Sequence, residues 1–376
     1  MNKTIKILQV VNIPFVLPYY FGDQINFLKN NNIDVTIACS PGPELESFCN
    51  KYNINKQAID IVRKVDLITD FRSLIKLICL LRREKFDFVV GHTPKGALLS
   101  MLAAKVVGVK NRIYFRHGIV YETTSGMKKG LMKFLEKLTS NCATKIVSVS
   151  KSVELYSINA KINSPGKSIL LNKGTCNGVD VQRFSKNNSI FDFPEVILHE
   201  EDFVVGYVGR LVNDKGINEL IEAWKLISTK IEKAKLLLVG PFEERDSLSQ
   251  KTKQFILNEP SIVFTDLVED AVPFYNKMDV FILPSYREGF PTVVLEASSM
   301  SLPVITTRST GCVDSIVENQ TGVFTQINGR DIANKILYYF ENPEVRREHG
   351  AAGRKWVSIN FDQHIVWQHI INEVFN

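Results

Sequence analysis

The sequence predicts an α/β fold of two doubly wound, Rossmann-like parallel-sheet domains facing a shared cleft, and three observations carry that expectation. Short apolar runs alternate with helix-period segments along nearly the whole chain. Such alternation is the signature of parallel strands joined by right-handed crossovers. The 376 residues suffice for about two domains of ordinary size. A polar, irregular stretch at 185–202, studded with Asn, Asp, Pro and Glu, divides the alternation in two. The expected domains are therefore 1–184 and 203–376, with 185–202 as linker.

In the first half, residues 5–11 read as a strand, 24–30 as a helix and 34–39 as the next strand. Helical spacing follows at 74–83, an apolar strand at 86–91 and a helix at 95–107. Strands at 111–115 and 145–149 flank a helix at 130–138, and a strand at 168–171 follows a turn-rich region. In the second half, strands are expected at 203–208, 235–239, 261–264, 279–283 and 303–306. Helices are expected at 217–227, 245–257, 271–277, 332–341 and 344–360. There is no internal repeat and no low-complexity tract. In open sheets of this kind, ligands bind beyond the carboxyl ends of the strands.

Composition is ordinary for a globular protein, and the six cysteines are scattered without a C-x-x-C pair. That argues for reduced thiols in a cytoplasmic protein rather than a disulfide framework or zinc site. The first residues run straight into a strand pattern, so no signal peptide is expected, and the apolar patch at 74–81 is too short to span a bilayer. Charge is divided unevenly. Residues 1–183 carry 27 Lys and Arg against 13 Asp and Glu, whereas residues 184–376 carry 19 against 27. A basic half suits an anionic surface or ligand. No nucleic-acid motif is visible, so an anionic membrane leaflet, or a lipid-linked diphosphate lying on it, fits better.

The most informative stretch is 283–297, L-P-S-Y-R-E-G-F-P-T-V-V-L-E-A. An apolar strand enters a polar turn, and a helix opens with Pro291 at a plausible first-turn position. The first helical amides lack partners and point outward, which suits an anion. Glu288 and Glu296 bracket the turn and lie about 10 Å apart by helical rise. That is the span from a ribose across two phosphates to an attached sugar, and a carboxylate is an acceptor suited to paired hydroxyls.

This stretch resembles the E-x7-E motif of the family 4 retaining glycosyltransferases, which have the GT-B fold; E-G-F-P-T-V-V-L-E-A matches it at nearly every position. The resemblance covers most of the chain and is densest in 85–151, 168–216 and 262–322. It implies that Glu296 holds a ribose and Glu288 a hexose, with Gly289, Phe290, Pro291 and Thr292 lining the donor's diphosphate and the amides of Gly289, Phe290 and Thr292 donating to it. The order strand, G-R-L-x-x-x-K-G, helix resembles the family's phosphate-binding pair and assigns that role to Arg210 and Lys215 beside Gly209. Gly240 resembles the turn beside the nucleotide, and backbone near Val268 would meet the base, although Asp266 stands where relatives place Gly. His117, at a strand end before Gly118, resembles the active-site histidine. The G-H-T-P-K segment is close to that of capsular-polysaccharide and lipid-linked-oligosaccharide transferases, which puts Thr93, Lys95 and Arg116 on the acceptor side. The loop at 12–22 departs from the family, being bulky and aromatic where relatives carry a glycine pair.

The expected activity is transfer of a hexose or N-acetylhexosamine from a nucleotide-diphosphate sugar, UDP-linked by expectation, to a hydroxyl of a lipid-diphosphate-linked glycan. The anomeric configuration would be retained. No D-x-D occurs, so no metal and no cofactor is expected. Two rivals share the architecture: a nucleotide-sugar 2-epimerase, and a silent sugar-nucleotide-binding module. Retention of Arg210, Lys215, Glu288 and Glu296 together disfavours the silent module. The segment 128–138 places Leu131, Phe134, Leu135 and Leu138 on one helical face, with Lys129, Lys133 and Lys137 opposite. That pattern suggests peripheral contact with the inner face of the cell membrane.

Overall fold

The apolar runs form thirteen strands in the computed structural model, which describes residues 4–64, 66–186 and 198–376. Seven make one sheet: β1 (Ile5–Val10), β2 (Ile33–Cys39), β3 (Asn55–Ala58), β4 (Phe88–Gly91), β5 (Asn111–Arg116), β6 (Lys145–Ser148) and β7 (Ser168–Leu170). Their order is β3-β2-β1-β4-β5-β6-β7. Six make the other: β8 (Phe203–Val208), β9 (Ala234–Val239), β10 (Ile262–Phe264), β11 (Val280–Leu283), β12 (Val304–Thr307) and β13 (Gly322–Thr325). These run β10-β9-β8-β11-β12-β13, and every ladder pairing in both sheets is parallel. This is the doubly wound pattern expected twice over. In each sheet the strand order reverses once, between β1 and β4 and between β8 and β11, and those switch points are where such sheets bind ligands.

The central strands are the ones legible in the sequence, because a parallel strand covered on both faces is a continuous apolar run. Two of the edge strands are not of that kind. β3 reads N-K-Q-A, and β13, a short G-V-F-T, lies at the other sheet's rim. The helix Leu67–Glu84 starts well before the expected residue 74, because the Asp66 carboxylate accepts from the Thr69 amide and caps it.

The chain divides into two compact units, residues 1–177 with 363–376, and residues 178–362. This partition differs from the expected domains at both borders. Residues 178–184 belong with the second unit: Val179, Val181 and Phe184 are buried in its core, and the Val179 amide donates to the Phe361 carbonyl at 2.9 Å. The last residues return to the first unit, where Trp367 Nε1 donates to Asn177 Oδ1 at 2.7 Å and Phe375 packs edge-on to Phe88 at 5.3 Å. Periodicity announces a helix but not the sheet that will cover it. Of the expected linker 185–202, residues 187–197 lie outside the described residues.

Candidate functional site

Four strand ends of the second unit bring their loops together around its switch point. After β8, Gly209 turns the chain with φ 147°, and the buried Tyr207 hydroxyl donates to the Arg210 carbonyl at 2.8 Å. A single 3-10 turn, Asn213–Lys215, leads through Gly216 into the helix Ile217–Ile227. Gly216 lies against the backbone that follows β11: a Cβ there would come within 2.2 Å of the Pro284 carbonyl oxygen. Gly311, after β12, closes on the same segment, with a Cβ position 2.6 Å from the carbonyl oxygens of both Glu288 and Gly289. Only hydrogen fits in either place, so the loops are packed backbone to backbone.

This packing fixes two charged side chains. Lys215 Nζ is ion-paired to Glu288 Oε1, both side chains being largely buried, and the Glu288 amide donates to the Thr310 carbonyl at 2.8 Å. Arg210, half exposed, pairs with Glu243. Beyond Glu288, the Phe290 ring lies 5.3 Å from Phe361, which pins the turn to the core. The helix Thr292–Ser299 follows, and Pro291 occupies its N-cap rather than its first turn. No side chain caps this helix; the Val294 amide turns back onto the Pro291 carbonyl at 3.0 Å, and the amides at the very start of the helix face outward, where an anion is favoured. A cation from β8, an anion from β11 and unspent amides thus meet at one strand switch.

One helical stretch further on, Glu296 accepts from the Tyr275 hydroxyl at 2.8 Å. Burial pushes its carboxyl above the usual range, against the opposing effects of that hydroxyl and of Arg183. Gly240 and Asp266 bridge at the ends of β9 and β10, the Gly240 amide donating to the Asp266 carbonyl at 3.0 Å. Asp266 adopts φ 58°, the left-handed geometry a glycine would supply, with its carboxylate accepting from the Leu267 amide at 2.8 Å. Val268 is partly buried against the same core.

In the first unit, His117 follows the end of β5 and stacks on Tyr20, ring centroids 3.9 Å apart and planes within 3°. Its Nε2 is 2.8 Å from His92 Nδ1, and His92 Nε2 is 2.8 Å from Gln9 Oε1. Burial lowers the His117 pKa to about 3, so the imidazole is neutral at physiological pH. Burial, with His117 beside it, also holds His92 well below the ordinary value. The bulky aromatic loop at 12–22 is the source of Tyr20.

The other three first-unit residues are placed differently from expectation. Arg116 is 0% exposed, and its guanidinium donates to Asn163 Oδ1 at 2.7 Å and Ser140 Oγ at 2.8 Å, with Glu136 Oε2 at 3.3 Å. It braces β5 against the helix Gly126–Cys142 instead of offering a fork to an acceptor. Arg116→Met would strand Glu136 in the core. The expected cost is about 3–5 kcal/mol, or roughly 6–20 °C in Tm by calorimetry. Lys95 is committed to Asp70 at 2.7 Å and to the Lys64 carbonyl. Thr93 is buried, with its hydroxyl turned onto the His92 carbonyl.

Sequence reasoning missed Gln9, Tyr20, His92, Glu243, Tyr275 and Gly311. A polar Gln inside an apolar strand and the His of H-T-P-K were the available signals for the first cluster. The others have none, since they matter through neighbours distant in sequence.

Residues 189–356 match the family model described as "Glycosyl transferases group 1", and residues 6–150 match "Glycosyl transferase 4-like". The chain is 35% identical over 369 residues to the capsular polysaccharide biosynthesis glycosyltransferase CapM of Staphylococcus aureus, covering 98% of this chain and 96% of that protein. It is 28% identical to an Escherichia coli UDP-Gal:alpha-D-GlcNAc-diphosphoundecaprenol alpha-1,3-galactosyltransferase, with 82% and 80% covered. Among solved structures, a glycosyltransferase from Rickettsia africae superposes with TM-score 0.80 at 20% identity over 99% of this chain and 98% of that one. HepE of Anabaena, in complex with UDP and glucose, superposes with TM-score 0.79 at 16% identity over 99% of both.

Proposed function

The chain belongs to the glycosyltransferase family, and from that premise we propose that it moves a hexose or N-acetylhexosamine from a UDP-sugar to a hydroxyl of a lipid-diphosphate-linked glycan, with retention. The observation that carries the donor half of this reading is the meeting of Lys215, Glu288 and the uncapped helix Thr292–Ser299 at the β8/β11 switch. The donor's diphosphate takes Lys215, Arg210 and the open amides, and Lys215 exchanges one anion for another as Glu288 turns to the sugar hydroxyls. Glu296, beyond the phosphates, accepts from the ribose. His117 of the first unit, neutral, accepts from a sugar hydroxyl. The acceptor half is supported by the relatives, one of them named for a diphosphoundecaprenol-linked acceptor.

The acceptor oxygen bonds to the anomeric carbon on the face the diphosphate leaves. The bond to the phosphate oxygen breaks, and the acceptor proton passes to that leaving oxygen. Preorganised cations and amides stabilise the charge developing on the phosphate. Incubation with a panel of nucleotide sugars, with and without a lipid-diphosphate acceptor, tests the reading. Acceptor-dependent release of nucleoside diphosphate, unaffected by EDTA, is expected. Release of an epimerised sugar without acceptor would make the chain an epimerase, and a strict Mg²⁺ requirement would overturn the charge assignment.

Contact of the first unit with an anionic membrane is part of this reading. In the helix Gly126–Cys142, Met127 is 95% exposed, Phe134 62% and Leu131 54%, while Leu135 and Leu138 are only half-buried. Glu136, Thr139, Ser140 and Cys142 are buried, and Met132 and Leu138 pack against the cores. Lys129 and Lys133 lie nearer that packed side than the expected opposite face, and Lys128 and Lys137 are exposed. The helix Leu67–Glu84, which packs on the same neighbour, Pro94–Val107, also exposes Leu67, Ile68 and Phe71, with Arg72 and Lys76 alongside. Among the described residues no helix is long and apolar enough to cross a membrane. Each lysine near an anionic leaflet is worth about 1 kcal/mol. Co-sedimentation with vesicles containing anionic lipid is therefore expected, lost at high salt and weakened by Lys129, Lys133 and Lys137 all becoming Glu. Phe134→Ser should weaken it at low salt. Binding indifferent to all three changes would count against the contact.

A further inference from the structure

We propose that Gln9 and His92 are positioning residues that fix His117 in one tautomer, protonated on Nε2, so that Nδ1 keeps a lone pair for a sugar hydroxyl. The proposal rests on the reading that His117 serves the donor sugar.

The direction of the relay follows from donor and acceptor chemistry. The Gln9 amide oxygen can only accept, so His92 Nε2, 2.8 Å away, must carry a proton. A neutral imidazole has one proton, which leaves His92 Nδ1 an acceptor. His117 Nε2, 2.8 Å from it, must then be the donor. His117 Nδ1 is left unprotonated and has no partner among the described residues. The two rings cannot both be charged in so dry a place, which keeps the chain of neutral imidazoles intact.

The fold supplies the rigidity such a relay needs. Gln9 pairs with Val90 in the β1/β4 ladder at the sheet's switch point, and His92 follows directly after β4. His117 leaves β5, the next strand over. His92 is gripped on two sides, stacked on Phe115 at 5.2 Å and edge-on to Phe21 at 5.1 Å. Thr93, immediately beyond, holds φ 61° and ψ 152°, a conformation costly for a β-branched residue that persists only where surroundings impose it. Gly96 completes the clamp, since a Cβ there would lie 2.9 Å from Thr93 Oγ1 and 3.2 Å from the Val10 carbonyl oxygen. Tyr20 covers the open face of His117. A merely space-filling pair of histidines would not need an acceptor at one end of the line and an unpaired nitrogen at the other.

The tautomers can be read without turnover. In protein labelled with ¹⁵N-histidine, long-range proton–nitrogen correlation should show both His92 and His117 protonated on Nε2. A proton on His117 Nδ1, as a reversed Gln9 amide would impose, overturns the proposal. His92→Phe keeps the ring volume but removes the acceptor, and kcat should fall about 10- to 100-fold, the scale known for partners that orient a metal-binding imidazole. His92→Asn restores an acceptor at the Nδ1 position and should recover most of that loss. Normal kcat in His92→Phe with impaired His117→Ala overturns the relay and leaves the donor reading standing. Normal kcat in His117→Ala defeats the donor reading and the relay with it.

A pH readout separates positioning from packing. The groups around His92 are His117, Tyr20, Phe21 and Phe115, and Tyr20 in turn feels Cys176 and Arg63. Gln9→Glu puts a carboxylate on His92 and raises its pKa. Protonated His92 would donate from Nδ1 and force His117 to carry its proton on Nδ1. The Gln9→Glu enzyme should therefore lose activity on the acid side at a pH where the wild type is level, and an unchanged profile overturns the proposal.

Discussion

Replacing Arg210 and Lys215 together by alanine is expected to lower kcat by at least about 10²–10³-fold, the loss typical of deleting one preorganised donor to a developing anion. The expectation is large because both cations stand at the switch of the second sheet, where backbone-to-backbone packing leaves little freedom to compensate. Lys215 is held in place by the carboxylate of Glu288. Arg210 is half exposed and paired with Glu243, so it has further to move and should be the smaller of the two single losses. Removing Lys215 leaves Glu288 without its partner, and a melting curve of each variant separates a folding defect from a catalytic one. Turnover within about threefold of wild type would mean that the diphosphate lies elsewhere.

The second large effect is expected from the two glutamates, and it should differ between them. Glu288→Gln removes the charge beside Lys215; turnover should fall by about 10²-fold or more, while nucleoside diphosphate still binds. Glu296→Gln should instead weaken nucleotide binding, measured by calorimetry. Equal loss of nucleoside diphosphate affinity in both variants would sink the assignment. Stability provides an independent check on Glu296. Burial raises its pKa above the unfolded value, so the folded form holds its proton more tightly. Its ionisation therefore costs stability as pH rises through the folded pKa, and that cost is absent below the unfolded pKa. Glu296→Gln should accordingly raise Tm at neutral pH in the empty protein and leave it unchanged in acid. Tyr275 can still donate to the amide oxygen, so the hydrogen bond is not lost with the charge.

The sequence by itself determined the doubly wound class, most strand positions and the motif linking Glu288 to Glu296. Each depends on near neighbours in the chain: apolar runs for buried parallel strands, turn chemistry between them, an uncapped helix start. The left-handed turn at Asp266 is a local geometry of this kind. Tertiary structure decided what depends on distant partners. It withdrew Arg116 and Lys95 into ion pairs with Glu136 and Asp70, because a charge near a sheet finds its counterion only when helices dock. It returned residues 363–376 to the first unit, because the apolar stripe of a helix does not say which sheet will cover it. It joined Gln9, His92, His117 and Tyr20, which come from three strand ends and an aromatic loop, because parallel pairing aligns strands far apart in sequence and so brings their carboxyl ends to one place.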